Sequence, residues 1–276
     1  MYYFIMSIRV LLIFSLFAAA PLYPKVLDSV FVKKDTLLYQ GHEVTRVYDS
    51  QNEVWFSTLK KGDEVITTFT SGGQLKEWTN FGLFPFLGPE TSQLIVEQFS
   101  GGAHCCWSYW IMNFFPDFEV IYVSEEYPVG YGLTPVDLDA DGMFEFTQTI
   151  LTFDYFDRLP HALSPLPAVV FKYGESNRYL PANQLFPDYL LEGIDDDIKR
   201  VKGFNDTLDF KTYDDPHGEY LSAVLEVVLR YIYAGKQEEA WAFYEKAYRL
   251  PDKKEMESKI REKLKDCPIY KEISGY

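Results

Sequence analysis

Between residues 26 and 180, short runs of Val, Ile, Thr and aromatic side chains alternate with polar positions, the period-two signature of half-buried strands. The pattern predicts strands over residues 43–48, 53–59, 64–70, 93–99, 106–114, 119–124, 143–151 and 168–173. Turn residues punctuate them at Lys61-Gly62-Asp63, Ser71-Gly72-Gly73, Ser100-Gly101-Gly102, Pro116-Asp117 and Asp141-Gly142. Strands at this spacing without interleaved helices predict a sandwich, barrel or propeller. Residues 186–210 read as transitional, with Asp195-Asp196-Asp197 as a solvated turn.

The period changes after residue 216. Over 220–233 the apolar positions Leu221, Val224, Val227, Val228 and Tyr231 line one face of a helix. Gly235 ends it. Residues 236–250 predict a second helix, with Glu238 and Glu239 in its first turn and Pro251 as its stop. A third, highly charged helix is expected over about 253–265.

Residues 10–20 form an apolar run of eleven, VLLIFSLFAAA, preceded by Arg9 and ending in three alanines. A run this short fits a cleaved secretory signal rather than a membrane span, which needs roughly 20 apolar residues. Residues 1–20 are therefore expected to be a leader, translation starting at Met1 or Met6, and the mature chain to be periplasmic or secreted. That compartment permits disulfides. The three cysteines, Cys105, Cys106 and Cys267, are odd in number, so at least one stays unpaired within the chain; a bridge from Cys267 to one of the adjacent pair is one option.

Charge narrows the partners. The formal net charge of −15 argues against nucleic acid, which demands a basic face, and against anionic lipid. A hydrophobic fraction of 47% supplies a core, and the 17% aromatic content suits strands.

The sharpest chemical motif is Asp137-Leu-Asp139-Ala-Asp141-Gly142-Met143-Phe144-Glu145. Alternating carboxylates point into one tight loop, and glycine permits the turn. The carboxylates of Asp137, Asp139, Asp141 and Glu145 and the Met143 carbonyl form an all-oxygen set of the kind Ca²⁺ takes. An EF-hand is disfavoured, since the twelfth position is Gln148 and the flanks at 134–136 and 146–151 look like strands. An acidic turn without metal is the plain alternative. The motif resembles the Ca²⁺ loop of FG-GAP and VCBS-type repeats, the blades of integrin-α-like β-propellers. That resemblance implies a structural Ca²⁺ ion and further blades, of which Asp49-Ser-Gln51-Asn52-Glu53 would be a degenerate copy without metal.

Gly235, Glu239-Ala240, Tyr244 and Ala247, with Tyr231 before them, resemble a single tetratricopeptide-type helical hairpin, although Val228 stands where that family favours a small residue. About 35 residues are covered, and one unit cannot form a superhelical groove. Phe99-Ser-Gly-Gly-Ala-His104-Cys105-Cys106-Trp107, followed by an acidic loop, is similar to stretches of bacterial exported proteins; the resemblance implies a shared fold and no activity.

The expected architecture is α+β, mainly β. A propeller-like domain or irregular β-sandwich spans 21–190, a linker 191–215 and a tetratricopeptide-like hairpin 216–276. The expected function is non-enzymatic: a calcium-stabilised binding or scaffold protein recognising a protein or cell-envelope component. The rival is a thiol-dependent hydrolase or metal enzyme using His104 with Cys105 or Cys106, and His42, His161 and His217 as the only other imidazoles. Neither GxSxG nor HExxH nor a phosphate-binding glycine loop is present.

Overall fold

The computed structural model describes residues 27–70, 73–101 and 107–274. The expected leader and the His104–Cys105–Cys106 segment lie outside the described residues.

Among the described residues, twelve strands form three separate four-stranded antiparallel sheets, each a simple meander. The first holds β1 (Thr36–Tyr39), β2 (His42–Asp49), β3 (Val54–Lys61) and β4 (Glu64–Phe69). The second holds β5 (Thr79–Phe84), β6 (Gln93–Phe99), β7 (Trp107–Asn113) and β8 (Glu119–Val123). The third holds β9 (Val129–Val136), β10 (Glu145–Ile150), β11 (Ala168–Tyr173) and β12 (Tyr179–Pro181). Local chemistry sets the hairpins. Gln40 and Gly41 both take positive φ between β1 and β2, the two-residue turn that matches strand twist.

Helices complete the chain: α1 (Pro187–Leu190), α2 (Ile194–Thr207), α3 (Glu219–Tyr233), α4 (Gln237–Ala247), α5 (Lys253–Lys265) and α6 (Pro268–Ser274). Helix and strand contents are comparable, so the class is α+β without a β majority. The difference from expectation lies mostly in 191–215. That stretch carries α2 rather than a bare linker, and Asp195, Asp196 and Asp197 form the helix's first turn, where carboxylates favour the positive end of its dipole. Among the described residues no helix is long and apolar enough to cross a membrane.

The second sheet is apolar on both faces. On β6, Leu94 and Val96 meet Val44, Leu59 and Phe69 of the first sheet. Ile95 points the other way, into the larger core with Phe146, Phe171 and helix α3. Each such side chain buried contributes roughly 1.5–3 kcal/mol. Arg46 binds the first sheet to its neighbour, donating to the carbonyls of Thr79 at 2.5 Å, Lys34 at 2.5 Å and Val32 at 3.0 Å. Its guanidinium lies over the Phe81 ring at 4.5 Å.

Helix α3 is enclosed on nearly every face, with Tyr220, Leu225, Leu229 and Ile232 all buried. Asp215, fully buried, caps it from upstream: its two oxygens accept from the backbone N–H of Tyr220 at 3.1 Å and of Leu221 at 3.0 Å. Helix α4 follows Gly235, whose φ of +77° makes the turn. Cys267 is a buried free thiol that accepts from the Tyr233 hydroxyl at 3.4 Å, so it is not bridged in this structure.

Candidate functional site

The acidic motif is the hairpin loop between β9 and β10, opened and closed by the Val136–Glu145 pair. Two left-handed residues shape it, Ala140 at φ +57° and Gly142 at φ +86°. The glycine bears this conformation without cost; the alanine stores strain of about 1 kcal/mol or more, as residues at functional loops do. Leu138 anchors the loop against Val170 and Leu190, and the Phe144 N–H donates to the Phe86 carbonyl at 2.8 Å in the neighbouring sheet region.

Each expected ligand residue has a definite place. Oxygens of Asp137, Asp139 and Glu145 lie within 4.8 Å of one another. Glu145 Oε2 accepts from the Leu138 N–H at 2.9 Å. Asp137 Oδ2 accepts from the Gly142 N–H at 3.2 Å, while its Oδ1 is buried with no hydrogen-bond partner. Asp141 Oδ1 accepts from the Met143 N–H at 2.8 Å, the chief reason its carboxyl lies below the usual range. Met143 thus serves the loop through its N–H.

A residue that the loop pattern does not contain joins it. Lys172 on β11 places Nζ 2.6 Å from Glu145 Oε1, 2.9 Å from Asp139 Oδ2 and 3.2 Å from Asp141 Oδ2. Burial alone would lower its pKa, but the hydrogen bonds to Glu145, Asp139 and Asp141 outweigh that and raise it above the ordinary lysine value. Three carboxylates bond this one ammonium, and Asp137 adds a fourth acidic group to the loop, so acidic groups outnumber the cation. The donor set is all oxygen and suits a hard divalent cation. Such an ion would gain Asp137 Oδ1 as a ligand and compete with Nζ for the others.

The proposed degenerate copy behaves differently. At the β2–β3 turn, Asp49 Oδ1 accepts from the Gln51 N–H at 2.8 Å and Oδ2 from Asn52 Nδ2 at 2.7 Å. Those bonds consume the carboxylate in a self-contained turn.

The three described histidines do not gather around one centre. His42 is buried against Phe114 and Phe118, with Nδ1 on the Gln40 carbonyl at 2.9 Å. His217 is exposed. His161 is held between Asp154, whose Oδ1 is 2.7 Å from Nδ1, and Tyr131, whose hydroxyl is 2.6 Å from Nε2. Sequence spacing gave no sign of this chain, because Tyr131 lies on β9 and His161 in a 3-10 turn thirty residues later. No protein-family model, no curated protein and no solved structure matches this chain.

Proposed function

We propose that this is an exported, calcium-stabilised binding or scaffold protein, in which the β9–β10 loop holds Ca²⁺ through Asp137, Asp139, Asp141, Glu145 and the Met143 carbonyl. Its meander sheets are blades of a propeller-like body, and the C-terminal helical hairpin packs against that body or presents a docking face, on α4 rather than the enclosed α3, for a protein or cell-envelope component. The observation that carries the metal reading is the convergence of three carboxylates within 4.8 Å, one with a buried oxygen that has no protein partner. A bound cation relieves the repulsion within a fixed shell of this kind. Its role is to hold the loop, and through the Phe144–Phe86 bond the contact between neighbouring sheets.

One observation favours a second reading: Lys172 is the loop's permanent counter-ion. Thermal unfolding of the mature chain in EDTA and in millimolar Ca²⁺ separates the two, run beside an Asp139→Ala/Asp141→Ala double variant. A ligand at 100 times its dissociation constant adds about 2.7 kcal/mol, which moves the midpoint measurably. A shift in the wild type that the double variant lacks supports the metal. Identical curves in EDTA and Ca²⁺ leave Lys172 as the sole counter-ion and overturn the calcium role.

A further inference from the structure

A second feature, independent of the acidic loop, lies among the last three helices. A cavity of about 390 Å³ opens between α4, α5 and α6. Volumes of roughly 300–1,000 Å³ are those of small-molecule sites. Helical spacing builds two of its walls. Gln237 and Trp241 stand one turn apart on α4, and Arg261, Leu264 and Lys265 share a face of α5. Tyr270 and Lys271 of α6 supply the third wall.

The charge of this cavity opposes that of the chain. Acidic residues outnumber basic ones by 41 to 26, yet the described residues lining the cavity include Arg261, Lys265 and Lys271 and no carboxylate. Glu262, Asp266 and Glu272, each next to one of these cations in sequence, are exposed and stand outside the lining, as successive positions on a helix do not share a face. Arg261 is matched and held: Nε and Nη2 lie 2.9 Å and 2.8 Å from Glu257 Oε1, and the guanidinium carbon is 3.6 Å from the centroid of the Trp241 ring. Lys265 and Lys271 form no ion pair among the described residues. Glu126, which shares a neighbouring cleft with Lys271, is taken by Arg178 at 2.7 Å.

The neutral groups point to the same ligand chemistry. The Tyr270 hydroxyl donates to Gln237 Oε1 at 3.2 Å, which leaves the amide nitrogen of Gln237 as a donor. Two ammoniums, this amide and Nη1 of Arg261 therefore meet a ligand with donors alone. Leu264 and the rings of Trp241 and Tyr270 set apolar surface beside them. Positive donors next to aromatic surface favour a ligand with an anionic head and a flat apolar body. A bare phosphate satisfies the head only; a carboxylate carried on a ring satisfies both.

We propose that the cavity between α4, α5 and α6 binds a small aromatic carboxylate, its head held by Lys265 and Lys271 and its ring against Trp241 and Leu264. The test uses the mature full chain at low salt and follows amide and indole chemical shifts. The probe is 2-naphthoate, with 2-naphthamide as its neutral analogue and inorganic phosphate as an anion without a ring. Lys265→Gln/Lys271→Gln removes both ammoniums from exposed positions; Lys254→Gln/Lys263→Gln changes the net charge equally on α5, outside the cavity. The expected result is saturable naphthoate shifts at Trp241, Lys265 and Lys271. Binding should weaken about tenfold in K265Q/K271Q and for naphthamide, stay at the wild-type level in K254Q/K263Q and weaken as salt rises. No saturable shift up to about 20 mM naphthoate, which corresponds to negligible affinity, overturns the proposal. So does equal binding of naphthoate and naphthamide, an equal loss in the two double variants, or no loss in K265Q/K271Q. Phosphate binding as tight as that of naphthoate also overturns it, since the ring then contributes nothing. If K265Q/K271Q does not fold, the three probes on the wild type decide.

Discussion

Lys172 Nζ lies 2.6 Å from Oε1 of Glu145, a carboxylate only 1% exposed. This pair joins β11 to the mouth of the acidic loop. Removing the ammonium leaves a buried charge facing three other carboxylates. Lys172→Met is therefore expected to lose roughly 2–4 kcal/mol in EDTA. The loss should shrink in millimolar Ca²⁺, because a divalent ion then takes the place of Nζ without competition. Urea unfolding in the two buffers checks this; an equal loss in both assigns Lys172 a purely structural role.

Asp215→Asn should destabilise the protein by about 2–3 kcal/mol. The buried carboxylate accepts two backbone N–H groups at the start of α3 and a hydrogen bond from the Tyr213 hydroxyl at 3.0 Å. An asparagine keeps one acceptor oxygen and brings two donors to a place built from donors. Chemical denaturation of the variant measures the effect, and an unchanged midpoint would contradict the capping role.

Arg46→Met should cost roughly 2–4 kcal/mol, since it strands the carbonyls of Thr79, Lys34 and Val32 that the guanidinium now satisfies. Lysine is not an adequate substitute, because a single ammonium cannot reproduce the planar fork of donors. Hydrogen exchange should report the loss chiefly in the first sheet and β5.

Stability should fall as pH rises from the ordinary glutamate value of about 4.3 towards neutrality, in the part contributed by Glu226. Its folded pKa is raised, chiefly by burial, so the folded state binds the extra proton. That contribution is complete below the unfolded value and is lost as pH climbs through the folded one. Glu226→Gln should flatten this part of the curve in a series of unfolding measurements.

Asp154→Asn should disturb the ring beside it. In the wild type the aspartate fixes the proton on His161 Nδ1. The variant should show mixed tautomers by ¹⁵N chemical shift. Tyr131 should titrate closer to an ordinary phenol, since the Asp154 charge, after desolvation, is the next cause of its raised pKa.

Much of the strand pattern was legible because one-sided burial leaves a period of two. Residues 93–99 and 168–173 coincide with β6 and β11. Strand β5, and β9 ahead of residues 134–136, were not, for steric reasons. β5 contains Gly82, where a Cβ would stand 2.5 Å from the Val30 carbonyl oxygen, and β9 contains Gly130, packed under Leu151. Such glycines admit a crossing chain or side chain and erase the hydrophobic alternation at the same time. Helix α2 stayed hidden because only Val201 on it is buried and its acidic start imitates a turn. The helices from α3 to α5 were plain, their apolar stripes and stops being local. In the acidic loop the carboxylates were readable from spacing alone. Lys172, twenty-seven residues beyond Glu145, became a neighbour only through the β10–β11 register. The Tyr131–His161–Asp154 chain depends on tertiary proximity in the same way.

The near-complete enclosure of α3 bears on the order in which the molecule can form during synthesis. The first sheet and the face of the second that it covers share a core made wholly from residues before position 119, so that core can form as soon as that length of chain is available, while the other face of the second sheet waits with the third. The third sheet has no such independence: Phe146, Val169 and Phe171 share their cluster with α3, which is made some fifty residues later. Until then this sheet waits with an apolar face uncovered. A chain interrupted before residue 219 would therefore keep a folded front and a sticky rear, and it would be the rear that chaperones and proteases recognise.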